Sequence, residues 1–537
     1  SWSGLEGWSW HVINIALHAC VSVFVVLLGR HLGCRPLAAL AAGILFGLHP
    51  LCVEPVSYIS SRSELLATAF LLLSVLAHLR SRQPTQPRDP WLYAGLSVAA
   101  LTAGLLCKAT AATVPLLIGA YEVFVLRTKS RDVLRRVAPT AALVAGYLFV
   151  VRGLLAEALL VAPVRDQAAQ LATQAKALGY YLRLLITPHP LTVEHPFAAA
   201  RWPQVEVWCA LLLVVSLVLV VARLGNGRLR FLLLWPLLVL LPTIVIPLNV
   251  LVSEHRLYPA LAGLVLLVAC VVPQPRVLRR GLVVCITLLL VLTVQRTTVW
   301  ASERSLWEDA ARWTSAPRPH VRLALVERSE GRLAAAEAHL RRAVDADPTY
   351  AAAWNNLGNV QRQQGDPVAA EGSYERALAL LPSYPEALTN LAAIRVQQGR
   401  LDEARALYER ALVIHPGHDQ MHNNLGTLLL RVGDWAAAEQ HLRQALLLGG
   451  DSAAVWRNLS GALQGQERRE EAQDALRQAL AADPTYAPAW LDLGNLLLSA
   501  GQRHEAQKAW RNFLQHWRGD DSVAEGVRQL LRQEALQ

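Results

Sequence analysis

Glycine returns on a 34-residue beat through the last third of this chain, at Gly331, Gly365, Gly399, Gly433 and Gly501, with Glu467 on the one beat that lacks it. A fixed period of that length leaves little choice of architecture, because each repeat is one small supersecondary unit that buries its apolar face only against its neighbours. The same register sets Leu357, Leu391, Leu425, Leu459 and Leu493 on a first helix, each followed by a small residue: Gly358, Ala392, Gly426, Ser460 or Gly494. Ala370, Ala404, Ala438, Ala472 and Ala506 mark a second helix, on which Tyr374, Tyr408, Leu442, Leu476 and Trp510 are expected to fill the space between repeats. Pro348, Pro382, Pro416 and Pro484 then stop it, since proline cannot continue a helix. Stacked helix pairs, an α-solenoid with an extended concave groove, are expected from 320 to 537.

In its period and its small and aromatic positions the segment resembles the tetratricopeptide repeat (TPR). Directly before each repeat leucine stand Asn356, Asn390, Asn424, Asn458 and Asp492. An amide donates and accepts together, so a ladder of them on the concave face can grip an acceptor peptide backbone without reading its sequence, each bond contributing about 0.5–1.5 kcal/mol net. The arrangement is similar to the asparagine ladder of the O-GlcNAc transferase repeats. The alternative is that asparagine is common at this position and bonds a neighbouring repeat.

The first 300 residues are of another kind. Apolar runs recur at 11 to 29, 36 to 50, 64 to 80, 91 to 107, 110 to 126, 137 to 157, 204 to 222, 231 to 250, 258 to 274 and 281 to 298, which predicts ten membrane spans. The fold class expected is therefore all-α: a polytopic transmembrane helix bundle over 1–300, a linker over 301–319 and the TPR solenoid over 320–537. Lys and Arg exceed Asp and Glu by 25 to 11 up to residue 300, then fall behind by 26 to 30. Basic loops between apolar runs suit membrane lipid headgroups, and no nucleic acid partner is expected. The seven cysteines all lie in the apolar part without C-x-x-C spacing, so they read as small buried apolar residues and no metal is expected.

Arg30/Arg35, Arg80/Arg82/Arg88, Arg127 to Arg136, Arg223 to Arg230 and Arg276 to Arg280 define one set of loops. By the positive-inside rule these are cytoplasmic, and the loops near 50 to 63, 107 to 109, 158 to 203 and 248 to 257 face outside together with the solenoid. Segment 171 to 187 is expected as an interfacial or re-entrant helix, because an eleventh span would place Arg223 to Arg230 outside. The scarcity of lysine, four residues in all, points to a high-GC bacterial genome and so to an inner membrane with periplasmic repeats. In a eukaryote the equivalent is the endoplasmic reticulum with luminal repeats.

Polar groups gather where these external loops meet the spans. His11, Asn14 and His18 share one face of the first span, which must turn to protein or water. After the second span come His49, Glu54, Arg62 and Glu64; Lys108 closes the fourth; and Glu254, His255, Arg256 and Tyr258 open the ninth. Snorkelling or structural ion pairing is the plainer account of any one of them. Three clusters on the same side favour a site.

In the H-x-x-N-x-x-x-H, HP-x-x-x-E, S-R-S-E and E-H-R-L-Y segments and in Lys108, the chain resembles the transmembrane and TPR-containing O-mannosyltransferase family, within the C superfamily of glycosyltransferases. That resemblance implies transfer of a sugar, mannose foremost, from a polyprenyl-phosphate donor to Ser or Thr of a protein acceptor held in the TPR groove, without a cofactor. It implies Glu54 and Arg62 in catalysis and Lys108, His255 and Arg256 on the donor phosphate. The superfamily's catalytic acid usually sits in the first external loop, where this sequence has only Glu6, so the general base is expected upstream of Ser1 and a chain starting there is expected to lack activity. Two other readings stay open: a non-enzymatic membrane-anchored TPR scaffold, and a ligase moving lipid-linked glycan to a lipid or polymer.

Overall fold

The computed structural model describes residues 7–58, 61–82, 90–161, 166–245, 251–271 and 275–535, so Glu6 lies outside the described residues. Every regular element among them is helical, and the chain divides into two compact units, Ser1–Pro319 and His320–Gln537.

The first unit holds α1 (Gly7–His31), α2 (Pro36–Gly47), α3 (Val53–Ser57), α4 (Arg62–Ser81), α5 (Pro90–Cys107), α6 (Val114–Ala120), α7 (Ser130–Val161), α8 (Gln167–Ile186), α9 (Val205–Arg223), α10 (Gly227–Val245), α11 (Tyr258–Val271), α12 (Pro275–Val299) and α13 (Glu303–Trp313). Among the described residues seven helices, α1, α4, α5, α7, α9, α11 and α12, carry stretches long and apolar enough to cross a membrane. The spans within α7 and α12 are only 6% buried, and they show lipid-type side chains such as Val150, Val283 and Val284 on their outer faces. An apolar surface of that extent needs hydrocarbon against it. The unit is an integral membrane domain.

Among the described residues, not all of the ten expected runs appear as single uninterrupted spans. The 36–50 run ends as α2, and a second piece, Pro50–Ser57, turns away by 53°. Pro50 has no N–H to continue the ladder, and His49 caps the new turn by accepting from Leu51 N at 3.2 Å. The 110–126 run is a shorter apolar helix, Ala109–Val125, with a tight first turn and a wide last one. The 231–250 run is α10 up to Val245, its remainder lying outside the described residues. The 301–319 stretch expected as a linker carries a helix, with Ser302 capping α13 and Trp307 and Ala310 buried. Nor are all cysteines buried: Cys34 and Cys52 are, but Cys20, Cys209 and Cys285 lie exposed on apolar helix surfaces, where a thiol is as well suited to lipid as to a core. In the core Phe46, Trp235 and Tyr258 are fully buried, the indole donating to Pro259 O at 2.9 Å.

The second unit is a succession of helix pairs from α14 (Pro317–Ser329) to α26 (Asp521–Ala535). A Cβ on Gly358, Gly426 or Gly494 would stand 2.5–2.7 Å from Tyr374, Leu442 or Trp510. The large residue thus packs over the small one of its own repeat, and Tyr374 also clusters with Leu391 and Ile394 of the next, filling the space between repeats as expected. Between repeats runs a second periodic bond: Gln364 donates to Glu337 at 3.0 Å and Gln466 to Glu439 at 2.8 Å. The 34-residue beat itself marks the end of each first helix, where Gly331, Gly365, Gly399, Gly433 and Gly501 all take φ of +77 to +85°. Glu467 adopts φ +62° on the same beat, and a side chain costs about 1–2 kcal/mol there.

Glu467→Gly is therefore expected to raise solenoid stability by up to about 1 kcal/mol after glycine's added unfolded-state freedom is deducted. Gly399→Ala, whose Cβ meets nothing within 4 Å, should lower it by about 1 kcal/mol through backbone strain alone. Denaturant unfolding of the purified chain, followed by circular dichroism, checks both signs.

Candidate functional site

The short helix α3 is the element around which the polar residues collect, because it packs against α1, α4, α12 and the Glu254–Leu257 turn. It carries Glu54, 6% exposed. A buried carboxylate must find donors, and these come from some 200 residues away. Ser253 Oγ donates to Glu54 Oε1 at 3.1 Å, His255 Nδ1 lies 2.9 Å from the same oxygen, and His255 N donates to Oε2 at 3.2 Å. Arg256 turns the other way, giving Nη1 to Tyr181 Oη and to Leu251 O, both at 3.1 Å. Tyr181 in turn accepts from Ser253 N at 3.1 Å.

Of the other expected residues, Asn14 and Arg62 join this cluster. Asn14, fully buried on α1, donates to Val56 O of α3 at 3.0 Å and accepts from Arg62 Nε at 3.1 Å. The Arg62 guanidinium lies 4.3 Å from the centre of the Trp10 ring, and its Nη2 is buried with no partner among the described residues. Lys108 Nζ sits 2.7 Å from the buried carboxylate of Glu64. His18 bridges Tyr258 Oη at 2.7 Å and Gly47 O at 3.0 Å, within the core. His11 does not join the group; it is exposed. The polar face of the first span is thus divided, with Asn14 at the cluster, His18 in the core and His11 outside.

Sequence reasoning missed several members. Tyr181 lies on α8, read only as an interfacial segment, and its paired aromatics in GYYLRLL were the available signal. Arg296, 6% exposed near the end of α12, gives Nη2 to Glu254 Oε1 at 3.1 Å and Nη1 to Asp309 Oδ2 at 3.0 Å. His195, in the loop between α8 and α9, takes Tyr180 Oη on Nδ1 at 3.1 Å, and burial holds it well down, at about 4. At the opposite ends of the helices another buried carboxylate, Glu122, is held by His78, Arg82, Thr128 and Arg136 at 2.6–3.1 Å. No group of three or more His, Cys, Asp or Glu among the described residues is placed to hold a metal.

In the solenoid the amides are half-buried, and most are already bonded. Asn390 donates to Asn355 at 3.0 Å, Asn458 to Asn423 at 3.1 Å, and Asp492 accepts from Arg457 at 2.6 Å. Each of these links one repeat to the residue 35 positions earlier. Asn356 instead bonds Ala352 O in its own helix at 2.8 Å, and Asn424 accepts from Gln420 at 2.9 Å.

Family models for the tetratricopeptide repeat match residues 315–383, 384–448, 419–485 and 463–509. The repeats are tetratricopeptide repeats. Over 148 residues the chain is 35% identical to protein O-mannosyl-transferase Tmtc2 of Drosophila melanogaster, a match covering 27% of this chain and 16% of that protein. Over 123 residues it is 32% identical to human protein O-mannosyl-transferase TMTC3, covering 23% and 13%. The solved structure of Pseudomonas aeruginosa pilF covers 40% of the chain and 97% of its own length at 21% identity, with a TM-score of 0.36. The matched TPR-bearing chain thus spans less than a fifth of the length of these two transferases.

The ladder makes a test of its own. Asn390→Ala leaves the buried Asn355 carbonyl unpaired and is expected to cost about 1–3 kcal/mol. Asn356→Ala, which gives up a bond inside its own helix, should stay within about 0.5 kcal/mol of the parent. Denaturant unfolding of the two variants side by side reads the difference.

Proposed function

We propose that the chain acts as a membrane glycosyltransferase that moves a hexose, mannose foremost, from a polyprenyl-phosphate donor to Ser or Thr hydroxyls of proteins outside the cytoplasm. The observation that carries the reading is the buried Glu54 carboxylate, bonded by Ser253 and His255, with Arg256 on the same turn and Arg62 joined through Asn14 to the helix that carries Glu54. The names of the relatives lend the reaction class.

In such a transfer the acceptor oxygen bonds to the anomeric carbon as the bond from that carbon to the phosphate oxygen breaks. The hydroxyl proton must go to a base, and negative charge collects on the departing lipid phosphate. Glu54 with His255 offers a carboxylate and imidazole pair to orient the hydroxyl and share its proton. Arg256 and Lys108 offer the cations that the leaving phosphate needs in a water-poor site, and Arg62 offers an Nη2 without a partner among the described residues. The TPR groove would present the acceptor, with Asn356 and Asn424 freer than Asn390, Asn458 and Asp492 to bond a peptide backbone. The site would face the periplasm, or the lumen of the endoplasmic reticulum in a eukaryote.

Arg256→Ala is expected to cut labelling of the purified chain by a photoreactive polyprenyl-phosphate mannose at least tenfold. Undiminished labelling of the variant removes the donor assignment.

A further inference from the structure

Beside the carboxylate cluster the first unit contains a cleft of about 170 Å³ whose lining includes Pro50, His189, Gln295, Arg296, Asp309 and Trp313. This is roughly the space of five or six waters at ~30 Å³ each, and well below the ~300–1,000 Å³ of pockets for drug-sized ligands. One six-membered ring with its substituents is the scale it admits.

The charge of the lining selects further. Arg296 is shared between Asp309 and the fully buried Glu254, so two carboxylates face one guanidinium. A phosphate brought here would meet a cation already paired with Asp309. A neutral ligand with hydroxyls meets no such penalty. Asp309 uses Oδ2 on Arg296, and its other oxygen has no partner among the described residues. The exposed Gln295 amide can donate and accept. Trp313 is 40% exposed and is buttressed by His189, whose ring meets it edge-on at 4.9 Å. An aromatic surface held in place, a carboxylate oxygen and an amide within one ring's width match a pyranose, whose C–H face is apolar and whose hydroxyls donate and accept together.

We propose that this cleft is a hexopyranose-binding subsite, formed by Trp313, Asp309, Gln295 and Arg296. It deepens the transferase reading and rests on it for its role, since Arg296 bonds Glu254, whose neighbours Ser253 and His255 bond Glu54. The subsite puts a sugar ring one side chain away from the loop that completes the carboxylate cluster. The phosphate of a lipid-linked sugar is left to Arg256, Arg62 and Lys108.

Saturation-transfer NMR with methyl α-mannopyranoside on the full, detergent-solubilised chain reads binding without any transfer step, so loss of the transferase reading leaves this test intact. Saturation transfer to the sugar ring is expected, with affinity at least fivefold weaker in Trp313→Ala and in Gln295→Ala. Gln295 is exposed and bonds nothing in the core, so that variant keeps the test valid if Trp313→Ala does not fold. Displacement of the sugar by polyprenyl-phosphate mannose assigns the ring to the donor; displacement only by a mannosylated peptide assigns it to the glycosylated protein. No saturation transfer, equal affinity in both variants, or preference for an alkylammonium probe over the sugar overturns the proposal.

Discussion

The membrane unit is organised by a carboxylate that has nowhere to put its charge except among its own chain's donors. Glu54 is buried on a five-residue helix between apolar spans, and an uncompensated anion there is one of the costliest groups a fold can carry. Its compensation comes from Ser253 and His255, which fixes the Glu254–Leu257 turn against α3. Once that turn is fixed, alternate side chains point to different partners: Glu254 to Arg296, Arg256 to Tyr181. The bend after α2, which breaks what would otherwise be a span, is what brings Glu54 to this depth.

The solenoid rests on different physics. Its helices approach because Gly358, Gly426 and Gly494 leave room for a large ring or leucine, and they turn because the 34-residue beat accepts a left-handed backbone. Polar side chains there serve mainly to join successive repeats, as Gln364 to Glu337 and Asn390 to Asn355 do. A peptide entering the groove would have to use amides left over from that task.

Much of this was legible in the sequence, because periodicity and hydropathy are local properties. The repeat register and the apolar helices follow from spacing, and Glu54, Arg62, Lys108 and Arg256 were singled out by their charge at span ends. Partnership across 200 residues is not local. Nothing in the spacing says that His255 rather than Arg256 meets Glu54, that Tyr181 of α8 reaches Arg256, or that Arg296, at the end of an ordinary span, is divided between Glu254 and Asp309. The break at Pro50 was written in a single proline, which an apolar count does not weigh. Bonding to a neighbouring repeat was one of two readings that the sequence left open for the ladder; what it did not name was the partner, 35 positions earlier and just off the repeat beat.

A double-mutant cycle between Glu54→Gln and His255→Ala, read by thermal unfolding of the detergent-solubilised chain, tests most directly whether this buried pair organises the unit. The account predicts strong non-additivity, a coupling energy of at least about 1 kcal/mol, as for residues in one buried network. Additive effects, within about 0.3–0.5 kcal/mol, would mean that the carboxylate and the imidazole do not depend on each other, and would contradict it.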